Sequence, residues 1–199
     1  MSLNFTKYSD NLIPTIIQDK TSGKVLMLGF SSEEAYNVSK ETRNATFFSR
    51  SKNRLWTKGE ESGNTLQIES IKYDCDEDTL LYICTPNGPT CHTGNISCFF
   101  NNEDKTDAEL LWGIYNTVLS RKIDAPKDSY VASLYDEGLD RIIQKVGEEA
   151  IETVIAAKNE DKEEFIGEFS DLLFHMMVLL SAKEITLSEI VAKFKSRIR

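Results

Sequence analysis

No continuous apolar run in this 199-residue chain is long enough to span a bilayer; the longest, Leu172 to Ala182, is interrupted by His175. The first twenty residues carry Lys7, Asp10, Asp19 and Lys20 and lack the apolar core of a secretory signal, so a cytoplasmic protein with no membrane partner is expected. An excess of positive charge is missing too. With a formal net charge of −9 and a pI near 4.9, the chain cannot neutralise a phosphate backbone broadly, and no nucleic-acid partner is expected. Histidine is scarce, with two, and cysteine nearly so, with four. In a reducing compartment those thiols serve as metal ligands or core rather than disulfides. None has the C-x₂-C spacing of a structural zinc finger, and the H-x-E…P-C-x-x-C signature of zinc nucleobase deaminases is absent.

What is present divides the chain in two. All four cysteines lie before residue 101. The first hundred residues carry 10 Lys and Arg against 12 Asp and Glu, and the rest carry 13 against 20. The reading is an α+β protein of two domains, 1–102 and 108–199, joined by a polar linker at 103–107. In the first, Lys24 to Phe30, Ala45 to Ser49 and Ile71 to Cys84 read as strands, and a short helix starts near Ser32. In the second, helices are expected over Ala108–Arg121, Tyr135–Lys158, Lys162–Ala182 and Leu187–Arg199.

Two clusters in the first domain carry chemistry. Asp74, Asp76 and Asp78 alternate around Cys75, and on a strand would share one face with Cys75 on the other. Carboxylates so placed repel unless a hard cation or solvent screens them. An EF-hand is excluded, because Thr79 and Thr85 stand where the turn Gly and the closing Glu belong. Cys75, Cys91 and Cys98 could hold Zn²⁺ and leave a fourth position open, as a catalytic site requires, with His92 alongside as proton shuttle. Packing is the alternative for the thiols, and Cys84, in the apolar run Leu80 to Cys84, reads as core. The segment Ser49 to Asn64 gathers cations, hydroxyls and glycines suited to phosphate. Arg50, Lys58, Ser62, Gly63 and Asn64 are its candidate substrate contacts, and Trp56 could stack on a base.

In the second domain, Glu148, Glu149 and Glu152 lie at helical spacing; taken alone they could be a solvated face. The third helix is apolar nearly all round and is therefore expected to be buried, with Glu168, Asp171 and His175 as a narrow polar stripe. Buried acids need cations. Facing helices would bring Glu148, Glu149 and Glu152 to Glu168 and Asp171 as an oxygen-only Mg²⁺ site, fit for phosphoanhydride chemistry. His175 reads as a core histidine satisfied by a neighbour.

The run Gly138 to Glu152, with E-E-x-x-E at Glu148, Glu149 and Glu152, followed by E-x-x-D at Glu168 and Asp171, resembles phosphoribosyl-ATP pyrophosphohydrolase. Ser129-Tyr130 fits the family's S-Y element, with Val131 where the family usually has Thr. In the first hundred residues, S-R-S…L-W-x-K-G-E-x-S-G-N, D-C-D-x-D and G-P-x-C-H-T-G-x-x-S-C resemble phosphoribosyl-AMP cyclohydrolase, with Leu28-Gly29-Phe30 where relatives often carry Leu-Ala-Tyr. That substitution, within a strand, is expected to matter little. The resemblance implies a bifunctional hydrolase of histidine biosynthesis acting on phosphoribosyl-ATP and then phosphoribosyl-AMP. It implies an N-terminal mixed sheet curling into a pseudo-barrel within an intertwined homodimer, and a C-terminal all-α bundle of the nucleotide pyrophosphohydrolase type. Zinc would be held by Cys75 of one subunit with Cys91 and Cys98 of the other, and magnesium by Asp74, Asp76 and Asp78. In the helical domain Glu148, Glu149, Glu152, Glu168 and Asp171 would hold magnesium, Glu149 would be catalytic, and Arg141 and Lys145 would contact substrate. Two other readings compete: a housecleaning nucleotide pyrophosphatase with a structural zinc domain, and a non-catalytic metal-stabilised dimerisation module.

Overall fold

Ile13, Thr15 and Ile17 point inward at alternate positions along β1 (Ile13–Asp19), a strand not anticipated from the sequence. The computed structural model describes residues 3–100 and 105–198. Within it β1 is a central strand. It pairs antiparallel with β2 (Val25–Ser31) and parallel with β6 (Leu80–Pro86), which in turn pairs antiparallel with β5 (Leu66–Tyr73), for an order β2-β1-β6-β5. Between β2 and β5 the chain forms α1 (Glu33–Thr42) and the hairpin of β3 (Thr46–Ser49) with β4 (Arg54–Thr57). Ser32 caps α1, its hydroxyl accepting from the Ala35 N–H at 3.1 Å. The core is filled from both sheets by Ile13, Ile17, Leu26, Phe47, Leu80 and Tyr82. Its apolar surface is the main source of stability here.

One expected strand does not form as a single piece. The chain leaves β5 at Tyr73, turns through 74–79 and re-enters the sheet at Leu80, so Ile71 to Cys84 is a hairpin. Glu77 takes a left-handed conformation (φ 61°), and the Asp74 carboxylate accepts from the backbone N–H groups of Asp78 and Thr79. Short Asp side chains that bond their own backbone favour such turns over strand.

The chain separates into two units, Met1–Glu109 and Leu110–Arg199. Residues 103 and 104 of the expected linker lie outside the described residues; Lys105 and Thr106 have no regular structure and α2 begins at Asp107. The C-terminal unit is helical. It comprises α2 (Asp107–Asp124), α3 (Tyr130–Glu137), α4 (Leu139–Ala156), α5 (Lys162–Ala182) and α6 (Leu187–Lys195). The helix expected from Tyr135 to Lys158 is broken at Gly138, whose φ of 94° ends α3 and turns the chain into α4. Asp161 caps α5, and Thr186 with Glu189 forms a capping box on α6. Val131 belongs to this unit's core with Val118, Leu134, Ile142 and Val178, which accounts for an apolar residue at that position.

The expectation that α5 is buried all round is not met. His175, Met177, Val178 and Ser181 are buried, but Phe165, Ile166, Phe169, Leu173 and Met176 are exposed. The apolar segment judged too short for a bilayer is also part of a 21-residue helix that could span one by length and composition alone. On α4, Val154 is 65% exposed, beside exposed Ile151 and Ile155.

Gly29 on β2 corrects a further expectation, that its place in a strand makes it matter little. A Cβ there would lie 2.3 Å from Cδ1 of Phe47, a buried ring that also packs against Trp56. Overpacking of this kind costs about 1–3 kcal/mol. Gly29→Ala is therefore expected to lower stability by about that amount in chemical denaturation. The cost should shrink in a Phe47→Leu background, and strict additivity of the two substitutions would refute the contact.

Candidate functional site

The loop after β6 is fastened to β2 from below. Ser97 Oγ donates to the Val25 carbonyl at 2.8 Å and the Cys98 N–H to the Leu26 carbonyl at 2.8 Å. A tight turn, with Cys91 N–H on Asn95 O and Gly94 N–H on Cys91 O, brings the two ends of this loop together. Cys91 and Cys98 thereby become neighbours, each perturbing the other's thiol. Thr93 donates its hydroxyl to Cys91 Sγ at 3.1 Å, and this bond, followed by the Thr93 N–H, pulls the Cys91 thiol below its ordinary range. Partial desolvation of its sulfur pushes Cys98 the other way, although the residue as a whole is exposed. His92 is exposed, with Nδ1 3.9 Å from Cys91 Sγ.

These residues line a cavity of about 580 Å³. Trp56, Lys58, Ser62 and Asn64 of the β4 hairpin line its other wall. Lys58 is buried, donates to the Asn64 carbonyl at 3.2 Å, and is lowered in pKa by that burial against the pull of the two thiols. Gly63 and Arg50 do not line it. The Arg50 guanidinium lies 3.9 Å from the centre of the Phe30 ring. Cys75, exposed in the β5–β6 turn, is not a lining residue either, so within one chain the cavity holds two of the three thiols.

Asp74, Asp76 and Asp78 do converge, with carboxylate oxygens within 4.8 Å of one another, but a turn gathers them rather than strand alternation. Their counter-charge was not legible in the sequence. Lys7, 69 residues before Asp76, reaches Asp76 at 2.5 Å and also contacts Asp78. Both carboxylates raise the Lys7 pKa.

In the helical unit α4 packs along α5. One oxygen each from Glu149, Glu152 and Glu168 lies within 4.8 Å of the others. Burial first, and then the charges of Glu152 and Glu149, push Glu168 above the usual carboxylate range. Lys145 is paired with Glu149 at 2.6 Å and Glu148 at 3.1 Å, and is raised in consequence. Glu148 turns away from the cluster to Lys145, Gln144 and Arg141. Asp171 is exposed and stands outside the three-acid group. His175 is a satisfied core histidine: Nδ1 donates to the Asp171 carbonyl at 2.8 Å, and Nε2 accepts from the Tyr130 hydroxyl at 2.9 Å. Its Nδ1 also lies 3.8 Å from Glu149.

The donor sets suit different cations. Neighbouring thiols beside an imidazole match zinc, and carboxylate-only groups match a hard divalent ion.

Two family models match the chain, one in each half. The family model described as phosphoribosyl-AMP cyclohydrolase matches residues 27–100, and that described as phosphoribosyl-ATP pyrophosphohydrolase matches residues 113–198. The histidine biosynthesis bifunctional protein of Photobacterium profundum is 46% identical over 98% of this chain and 96% of its own length. The protein of the same name from Bacteroides thetaiotaomicron is 47% identical over 99% and 96%. That from Bacillus subtilis is 44% identical over 94% and 92%.

The thiol environments give a direct test. Cys84 is wholly buried, and burial lifts its thiol to about 12, whereas Cys75 is exposed. In metal-stripped native protein at mildly alkaline pH, an alkylating reagent should modify Cys75 and spare Cys84. Peptide mass spectrometry showing the two labelled equally would contradict the placement.

Proposed function

From the chain's membership of the bifunctional histidine-biosynthesis family, in which a phosphoribosyl-AMP cyclohydrolase precedes a phosphoribosyl-ATP pyrophosphohydrolase, we propose how its residues divide the two reactions. The chain is a bifunctional hydrolase: one activity converts phosphoribosyl-ATP to phosphoribosyl-AMP and pyrophosphate, and the other opens the adenine ring of phosphoribosyl-AMP between N1 and C6. Our assignment gives residues 1–102 to ring opening, 103–107 to the connection and 108–199 to pyrophosphate release.

In the helical domain the reading rests on Glu149, Glu152 and Glu168, three acids held within 4.8 Å although one is buried and another is raised in pKa by desolvation and then by its neighbours' charge. Such crowding asks for a cation. Magnesium held there, with Glu148 and Asp171 as further ligands, would neutralise substrate phosphates and acidify a water. Glu149 takes the proton from the attacking water, and Arg141 and Lys145 bind the polyphosphate.

In the N-terminal domain, substitution at N1 costs the purine its aromatic stabilisation and leaves C6 amidine-like. Trp56 stacks on the base. Lys58, Ser62 and Asn64, which line the cavity, bind the phosphoribosyl groups. Zinc held by Cys75, Cys91 and Cys98 would supply a water that ionises near neutral pH. Water adds at C6, the N1–C6 bond breaks, and His92 carries the proton between the incoming oxygen and the departing nitrogen. Asp74, Asp76 and Asp78 would hold a magnesium ion.

A homodimer completes both halves in this reading. The cavity lined by Cys91 and Cys98 needs a third thiol, and Cys75 of a second copy would provide it within an intertwined pseudo-barrel. The exposed side chains Phe165, Phe169, Leu173 and Met176 on α5 are covered by a second copy rather than by lipid, because Glu168 and Asp171 lie on the same helix. The protein works in the cytoplasm.

The test is to follow pyrophosphate and ring-opened product separately. Glu149→Gln should reduce pyrophosphate release by about 100-fold or more while leaving ring opening of supplied phosphoribosyl-AMP intact. Loss of both activities in a folded variant would refute independent sites. Removal of zinc by chelation should stop ring opening while the circular dichroism spectrum persists; unfolding of the N-terminal domain would make zinc structural.

A further inference from the structure

The segment before β1 lies against the aspartate turn and is fastened to it at two points. The Asn4 N–H donates to the Glu77 carbonyl at 2.7 Å, and the Lys7 ammonium bridges the carboxylates of Asp76 and Asp78. Phe5, between them, packs on Tyr36 of α1 with ring centroids 6.1 Å apart. The Asp78 side chain is only 6% exposed, so its charge requires a partner, and the cation provided for it comes from the chain itself. A divalent ion would need the same oxygens. All three carboxylates lie within 4.8 Å of one another, and magnesium binds oxygen at about 2.1 Å. An ammonium and a divalent cation cannot share that space, because they compete for the lone pairs and repel each other.

We propose that Lys7 is a built-in counter-cation of the aspartate turn, which holds the carboxylates together and leaves when a divalent ion enters. Cation binding and the docking of Lys7 are then coupled with opposite sign. By linkage, whatever the Lys7 contact contributes to the turn is subtracted from its affinity for the ion. Lys7 is outside the stretch matched by the cyclohydrolase family model, which begins at residue 27, so the device belongs to the segment ahead of the matched domain. The proposal rests on the reading of Asp74, Asp76 and Asp78 as a divalent-cation site, and the test separates the two.

The probe is Mn²⁺, counted by electron paramagnetic resonance on the full-length, zinc-loaded chain, with Asp76→Asn used to identify the sites contributed by the turn. Asp76 and Lys7 are both solvent-exposed, so Asp76→Asn and Lys7→Met should fold normally. The Mn²⁺ site that Asp76→Asn abolishes should bind about three- to tenfold more tightly in Lys7→Met. In parallel, brief amine acetylation read by peptide mass spectrometry should show Lys7 protected without divalent ion and labelled severalfold faster with Mg²⁺. Lys40 serves as internal reference, and the increase should be absent in Asp76→Asn. If Asp76→Asn removes a Mn²⁺ site but Lys7→Met leaves its affinity unchanged or weakened, and Lys7 labelling does not respond, the counter-cation role is overturned and the site stands. If Asp76→Asn removes no Mn²⁺ site, the turn is not a divalent site and the inference falls with it.

Discussion

Repulsion between carboxylates held at short range is the constraint around which both halves are built. Neither the Asp74, Asp76 and Asp78 turn nor the Glu149, Glu152 and Glu168 cluster is held together by its acids, which repel one another. Each persists because a rigid scaffold presents the acids and a lysine answers them. In the helical unit that lysine is Lys145, on the same helix, partly shielded and touching two acids. In the N-terminal unit it is Lys7, brought in by the chain ahead of β1. Amide groups help in the second case, because two backbone N–H groups already point at Asp74.

The thiol cavity is built differently. Its loop borrows rigidity from β2, through the Ser97 and Cys98 bonds, and its chemistry from opposed environments around two adjacent sulfurs. Thr93 favours the thiolate at Cys91, while partial desolvation disfavours it at Cys98. Lys58, itself partly desolvated, stands near both.

Much of this could be read from the chain. The bounds of α5 follow from its apolar run and from Asp161 as cap, and the acid spacing on α4 and α5 announces the cluster. What escaped reading was non-local or subtle. Pro14 obscures β1, since proline argues against a strand. The β-rich flanks of 74–79 mask a turn whose signal was the Asp-rich stretch itself. Gly138, read as part of a motif, was also a helix break. Lys7 is a lone lysine in an undistinguished segment, and only folding brings it to Asp76. The exposed side of α5 was missed because an all-round apolar helix signals burial without saying whether the cover comes from the same chain.

The parallel pairing of β1 with β6 has a consequence for biosynthesis. Residues Thr15 and Leu80 are register partners, so the sheet cannot close until the ribosome has delivered nearly the whole N-terminal half. Up to that moment β1 and β2 can zip together as a local hairpin, but one flank of β1 stays open to any stray strand. The helical half, whose largest packing is between the sequence neighbours α4 and α5, carries no such delay. Newly made chains are thus most vulnerable to mispairing before β6 has been translated.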